Sequence, residues 1–179
     1  MLKKILSISF VVIFFILGLI FLVPKDNEYK VIEVNSPGDF VLDSGINIKF
    51  NDYTTFDSRF TERNKSIAAN LSISEEEAFI LGNLGKYWAE NLMKGRKVVA
   101  QDGDLIYYKY SYKTKFLYSG FCLFNSKPYN QEAFNKRLNA VRKGSYQVLD
   151  LDTDICYKPT DSKVRELKNF IVLRRSHLP

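Results

Sequence analysis

Between Val31 and Asp57 apolar and polar residues alternate in three short runs, separated by Ser36-Pro37-Gly38 and Asp43-Ser44-Gly45. Val31, Ile32 and Val34, then Phe40, Val41 and Leu42, then Ile46, Ile48 and Phe50 supply the apolar positions. A period of two is the mark of strands that bury one face, and the Pro-Gly and Ser-Gly clusters are tight turns. The pattern predicts a three-stranded meander. Its polar turn and end residues, Asp39, Lys49, Asp52 and Asp57, are where chemistry would sit.

After a polar stretch from Tyr53 to Ile73, read as a long loop, the period lengthens. Ala78, Leu81, Leu84, Gly85, Trp88 and Leu92 recur at helical spacing behind Ser74-Glu75-Glu76-Glu77. That tetrapeptide is a capping box, with Ser74 capping the first turn and Glu77 reaching back to it. Gly95 ends the helix. Arg96 to Gln101 then reads as a strand, turning at Asp102-Gly103-Asp104. Leu105 to Phe124 is long strand material, bent near Lys113-Thr114 and again near Gly120. Asn130 caps a predicted helix over Gln131 to Lys143, Tyr146 to Leu151 is short and extended, and Ser162 to Arg175 is a final helix.

Along the long strand Tyr108, Tyr110 and Tyr112 share one parity, and Lys109, Lys113 and Lys115 share the other. Rings interleaved with lysines suit a single nucleic acid strand, whose bases stack on aromatics and whose phosphates meet cations. The competing reading is a tyrosine-rich face packed under the helix.

The front of the chain differs in kind. Ile5 to Val23 is an unbroken apolar run, long enough at ~1.5 Å per residue to cross the ~30 Å core of a bilayer. Lys3 and Lys4 before it keep residues 1–4 in the cytoplasm by the positive-inside bias. The reading is an uncleaved single-pass anchor at 5–23, a linker at 24–29, an extracytoplasmic domain at 30–151 and a helical C-terminal extension at 152–179. A cleaved signal peptide is the alternative.

Composition narrows the chemistry. The chain has 179 residues, a net charge of +6 and 15% aromatic residues. A mild positive charge permits DNA, RNA or an anionic membrane as partner without demanding one. The single histidine, His177, stands at the C-terminal end and reads as a surface residue, which disfavours a serine-hydrolase triad. Cys122 and Cys156 form no CxxC, so a zinc ribbon is disfavoured. They are either a disulfide or two buried thiols.

Five antiparallel strands with a helix between the third and fourth describe an OB-type barrel with flanking helices, an α+β fold that is mainly β. That order, with the residues at its turns, resembles the staphylococcal-nuclease-like (thermonuclease) family over about Lys30 to Leu151. The resemblance implies a site for hydrolysing phosphodiesters with calcium or another divalent cation. Pro37-Gly38-Asp39-Phe40 lies against the family's Asp-Gly-Asp-Thr turn, so Asp39 takes the place of a calcium ligand. Ile48 to Asp57 lies against its third strand: Lys49 replaces a phosphate-clamping arginine, Thr54 a second metal-binding aspartate and Asp57 the glutamate general base. Lys115 stands nearest the second arginine, and Asp52 offers a carboxylate two residues from the expected position.

Each substitution weakens the site. Lysine offers phosphate a point charge where arginine offers a planar fork. Threonine supplies neither the charge nor the second oxygen that a hard cation favours. Asp57 is one methylene shorter than glutamate. The expectation is a membrane-anchored, outward-facing, nuclease-like domain with a degenerate active site that binds nucleic acid, with hydrolysis of phosphodiesters by a divalent cation left open. Its alternative is a catalytically inactive OB-type module of the cell envelope that binds nucleic acid, a protein or an envelope ligand.

Overall fold

The alternating runs become β1 (Glu28–Ser36), β2 (Asp39–Leu42) and β3 (Asn47–Lys49) of one antiparallel sheet. The computed structural model describes residues 28–146, 148–149, 156–157 and 159–176. The expected anchor lies outside them, as do His177 and most of the expected linker. Among the described residues no helix is long and apolar enough to cross a membrane. β1 begins at Glu28, inside the stretch read as linker.

Strict alternation fails in β1 for a definite reason. Val31 pairs with Leu42 but Glu33 with Val41, and Val34 pairs with Phe40 but Ser36 with Asp39. The ladder thus skips Ile32 and Asn35, as at a β-bulge. Val31 and Val34, three apart, are thereby both buried, while Ile32 is exposed.

The sheet continues from β1 to β4 (Lys97–Gln101), β5 (Asp104–Tyr107) and β6 (Tyr110–Ser111), in the order β3-β2-β1-β4-β5-β6. It is open, with β3 and β6 at its edges, so the closed five-stranded barrel expected from the sequence is not formed among the described residues. Among the described residues the architecture is α+β, a six-stranded antiparallel sheet with five helices. A short hairpin, β7 (Leu123–Phe124) with β8 (Lys127–Pro128), and a two-stranded ladder, β9 (Val148–Leu149) with β10 (Cys156–Tyr157), stand apart from it.

Two helices occupy segments read otherwise. α1 (Glu62–Asn70) lies in the expected loop, capped by Thr61. α2 (Glu75–Met93) is the helix with the capping box, which is present as expected. α3 (Tyr112–Tyr118) breaks the expected long strand. The preceding turn puts Tyr108 and Lys109 at φ 46° and 69°, the left-handed pair that a tight hairpin uses. Asp104 then anchors α3, its Oδ1 accepting from Lys113 N at 2.8 Å and its Oδ2 from Ser111 Oγ at 2.5 Å. Tyr112 and Phe116, four apart, bury one face of this short helix. α4 (Gln131–Arg142) and α5 (Asp161–Ser176) follow close to their expected positions.

The core lies between the sheet and α2. Phe40, Phe50, Tyr112 and Phe116 form an aromatic layer, with Tyr112 edge-on to Phe40 at 4.9 Å. Trp88 sits between Tyr112 and Phe121, both at 5.8 Å. Its indole Nε1 is buried without a hydrogen-bond partner. Cys122 is a free, buried thiol, not half of a disulfide.

Candidate functional site

The loop that carries Asp57 is fixed from two sides. Below it Thr61 caps α1, its Oγ1 accepting from Asn64 N at 3.1 Å. The cap turns the buried Asn64 amide toward the loop. Asn64 Oδ1 accepts from Asp57 N at 2.8 Å, and Nδ2 donates to the carbonyls of Asp57 at 2.8 Å and Arg59 at 2.9 Å. Asn64 thus stands in for a paired strand. Above it lies α2. A Cβ built on Gly82 would fall 2.2 Å from the Asp57 carbonyl oxygen, so only glycine allows this approach. The next residue, Asn83, donates from Nδ2 to the Ser58 carbonyl at 3.1 Å.

This packing leaves a cleft of about 190 Å³. One wall is the end of β1 and its turn, Asn35 to Pro37. The second is the loop from Phe56 to Arg59, with Thr61. The third is α2 at Gly82 and Lys86. Asn35 is the extra residue of the second bulge, and bulges commonly re-aim a side chain beside a site. Its Nδ2 donates to Asp39 Oδ1 at 3.2 Å.

The cleft carries two cations, Arg59 and Lys86, against one carboxylate, Asp57. Both Asp57 oxygens are already engaged. Oδ2 accepts from Thr61 Oγ1 at 2.8 Å, and Oδ1 pairs with Arg63 Nη1 at 3.3 Å. Arg63 also donates to the Thr55 carbonyl at 3.4 Å. Lys86 Nζ lies 4.0 Å from Glu90 on the same helix. The arrangement suits a phosphate, which two cations and several hydroxyl and amide donors would surround.

Of the residues singled out from the sequence, Asp57 lines this cleft and Asp39 touches it through Asn35. Lys49 is opposite Asp39 across the β2–β3 ladder. Thr54 forms a backbone bridge with Leu123, each N–H donating to the other's carbonyl at 2.8 Å. Asp52 is an exposed turn residue, and Lys115 lies on α3. Among the described residues no three His, Cys, Asp or Glu side chains gather where a metal could bind. The donor set of Asp39, Thr54 and Asp52 therefore does not fit a calcium ion, which takes six to eight oxygens.

The tyrosine parity does not survive the break at Tyr108 and Lys109. Tyr108 and Tyr110 are exposed, with Lys109 between them at the hairpin turn. Tyr112 is 1% exposed and donates its hydroxyl to the Pro37 carbonyl at 2.8 Å. Burial pushes its phenol far above the usual range, so it is a core residue, not part of a nucleic acid surface. Lys113 folds back over the Phe50 and Tyr53 rings, at 5.9 and 5.8 Å.

Arg59, Lys86, Asn35 and Asn64 did not emerge from the sequence. Thr61 spaced three before Asn64 is a faint capping signal; nothing in the chain's pattern marks the other three.

No protein family, curated protein or solved structure matches this chain.

Proposed function

We propose that this chain is a nuclease-like, OB-type module that holds nucleic acid by its phosphates, outside a membrane to which residues 5–23 anchor it. The observation that carries this reading is the cleft. It joins the turn after β1, the loop after β3 and α2, with Arg59 and Lys86 as its cations. The resemblance drawn from the sequence gives the phosphate to Lys49 and Lys115 beside Asp39 and Asp57; of these only Asp57 lines the cleft, and Arg59 and Lys86 take the place of the two lysines. The helical layer between the third and fourth strands, and the bridge from Thr54 to Leu123, fit an OB-type sheet that has lost its closure.

The reading is binding rather than hydrolysis. The residue in the place of the general base has both oxygens held by Thr61 and Arg63. Among the described residues no group of three His, Cys, Asp or Glu side chains gathers around a cation position.

The test uses the 179-residue chain in detergent with labelled DNA and RNA, in calcium, magnesium or chelator. The expected result is salt-dependent binding without cleavage, weakened about tenfold by the double change Arg59→Ala and Lys86→Ala. Metal-dependent cleavage lost in Asp57→Ala would make the chain a working nuclease. No binding of either polymer would overturn the reading.

A further inference from the structure

Away from the cleft wall, four aromatic rings meet at the surface. Tyr53 lies 5.9 Å from Phe124 and 6.0 Å from Tyr129, and Tyr118 lies 5.7 Å from Tyr129 on its far side. They come from separate elements: the turn after β3, the tip of the β7–β8 hairpin, the residue before the α4 cap, and the end of α3. Phe124, Tyr129 and Tyr118 are 47%, 43% and 50% exposed. Tyr53 packs partly against the core, while the other three rings lie outside it. The Phe124 position is held at the tip by a tight turn, with Asn125 and Ser126 both at positive φ.

Two lysines flank the rings. Lys113 Nζ sits over Tyr53, and Lys127 pairs with Phe124 across the hairpin. An exposed aromatic surface bordered by cations is complementary to a polyanion whose own faces are flat and apolar. A single nucleic acid strand is such a ligand; a duplex hides its base faces inside the stack.

We propose that Tyr53, Phe124, Tyr129 and Tyr118 form an aromatic platform for a single nucleic acid strand, in which the exposed rings of Phe124, Tyr129 and Tyr118 stack on bases, Tyr53 supports them from the core side beneath Lys113, and Lys113 and Lys127 meet the phosphates. This rests on the reading of the cleft as a phosphate site and gives that ligand its strandedness. Tyr53 belongs to the platform and Asp57 to the cleft, so their Cα atoms, four residues apart, lie within ~14 Å, a separation that a few nucleotides of extended strand cover.

The experiment compares a labelled ten-nucleotide oligothymidine with an abasic chain of the same length and charge, by fluorescence anisotropy, on the 179-residue chain in detergent. Oligothymidine is expected to bind about tenfold more tightly than the abasic chain, since stacking on each ring contributes severalfold or more. Phe124→Leu with Tyr129→Leu should shrink that preference to about twofold, and Tyr129→Phe should keep it. Arg59→Ala should weaken both probes alike. Equal binding of the two probes by the unchanged protein, or a preference that survives the double change, overturns the platform but not the cleft. No binding of either probe overturns both. If the double variant unfolds, Phe124→Ser alone, at the exposed hairpin tip, decides by the same comparison.

Discussion

The hydroxyl of Tyr112 donates to the carbonyl of Pro37 across 75 residues of chain, at 2.8 Å and fully inside the protein. It ties the first turn of α3 to the turn between β1 and β2, and so holds one wall of the cleft from behind. Tyr112→Phe keeps the ring and its edge contact with Phe40 but leaves a buried carbonyl without a donor. The expected cost is about 1–3 kcal/mol in urea unfolding, the usual cost of orphaning a buried acceptor. Nucleic acid binding should change little. A Tyr112 that met a nucleic acid base would show the reverse, weaker binding at unchanged stability.

Asn64 bears on the same cleft from the opposite side. Its amide makes three hydrogen bonds to the backbone of Asp57 and Arg59 and is 1% exposed. Asn64→Ala should lower stability by about 3 kcal/mol, since several buried backbone groups lose their partners together. For a chain of this length that is roughly 6–12 °C in Tm, read by circular dichroism. Asn64→Asp keeps the acceptor for Asp57 N but turns a buried carboxylate oxygen toward two backbone carbonyls, so at about pH 7 it should cost at least as much as alanine.

What the sequence disclosed follows from where the physics is local. The α2 capping box needs only residues 74 to 77, and the meander needs only alternation and turns. α3 was hidden because Tyr, Phe and Thr in YKTKFLY carry the propensity of strands, while the helix is fixed by Asp104, seven residues before Ser111. The cleft was half legible. Asp57 and the turn at Asp39 lie on or beside it, but its cations come from a loop and a helix brought together by Gly82 and Asn64. No spacing rule links Arg59 to Lys86. The aromatic platform was hidden for the same reason, its rings belonging to four elements.

Glu77 sets the acid side of stability. Burial works to raise its pKa, but the hydrogen bond and charge of Arg142, with the hydrogen bonds at Ser74, outweigh it and leave the carboxyl below its ordinary range. The Arg142 contact, 2.7 Å, joins α4 to α2. A depressed carboxyl contributes stability above its unfolded pKa, and that contribution is lost as pH falls through the folded value. Glu77→Gln should therefore destabilise at about pH 7, and the difference should shrink as pH falls below the usual carboxylate range. With Arg142 half-exposed, a double-mutant cycle should give about 0.5–1 kcal/mol for the pair.

Cys122 sets the alkaline side. Burial pushes its thiol up to about 12 from an ordinary 9.0. The unfolded chain therefore releases this proton first, so stability is full below about 9 and declines as pH rises toward the folded value. The fall in stability between about pH 8 and 10 should be shallower in Cys122→Ala than in the native chain. The same shift predicts slow reaction with thiol reagents at about pH 8 in the folded protein and fast reaction after unfolding.

Gly82 separates a steric requirement from a conformational one. It is helical, so alanine there should gain helix propensity by about 1 kcal/mol if nothing else intervened. Its Cβ would lie 2.2 Å from the carbonyl oxygen of Asp57 and 2.6 Å from the carbonyl carbon, and this backbone is pinned by Asn64. Either α2 or the loop must shift. Overpacking of this kind costs about 1–3 kcal/mol or more, which outweighs the propensity gain. Gly45 is the control, since it has a φ of 81° with open space around it. Gly45→Ala should cost only about 1 kcal/mol, through backbone conformation, and leave binding untouched. Gly82→Ala should lower stability more and also weaken phosphate-dependent binding, because the displaced loop carries Asp57 and Arg59 away from Lys86. A Gly82→Ala chain as stable as the native one, with unchanged binding, would mean that the loop does not rest on α2 as described.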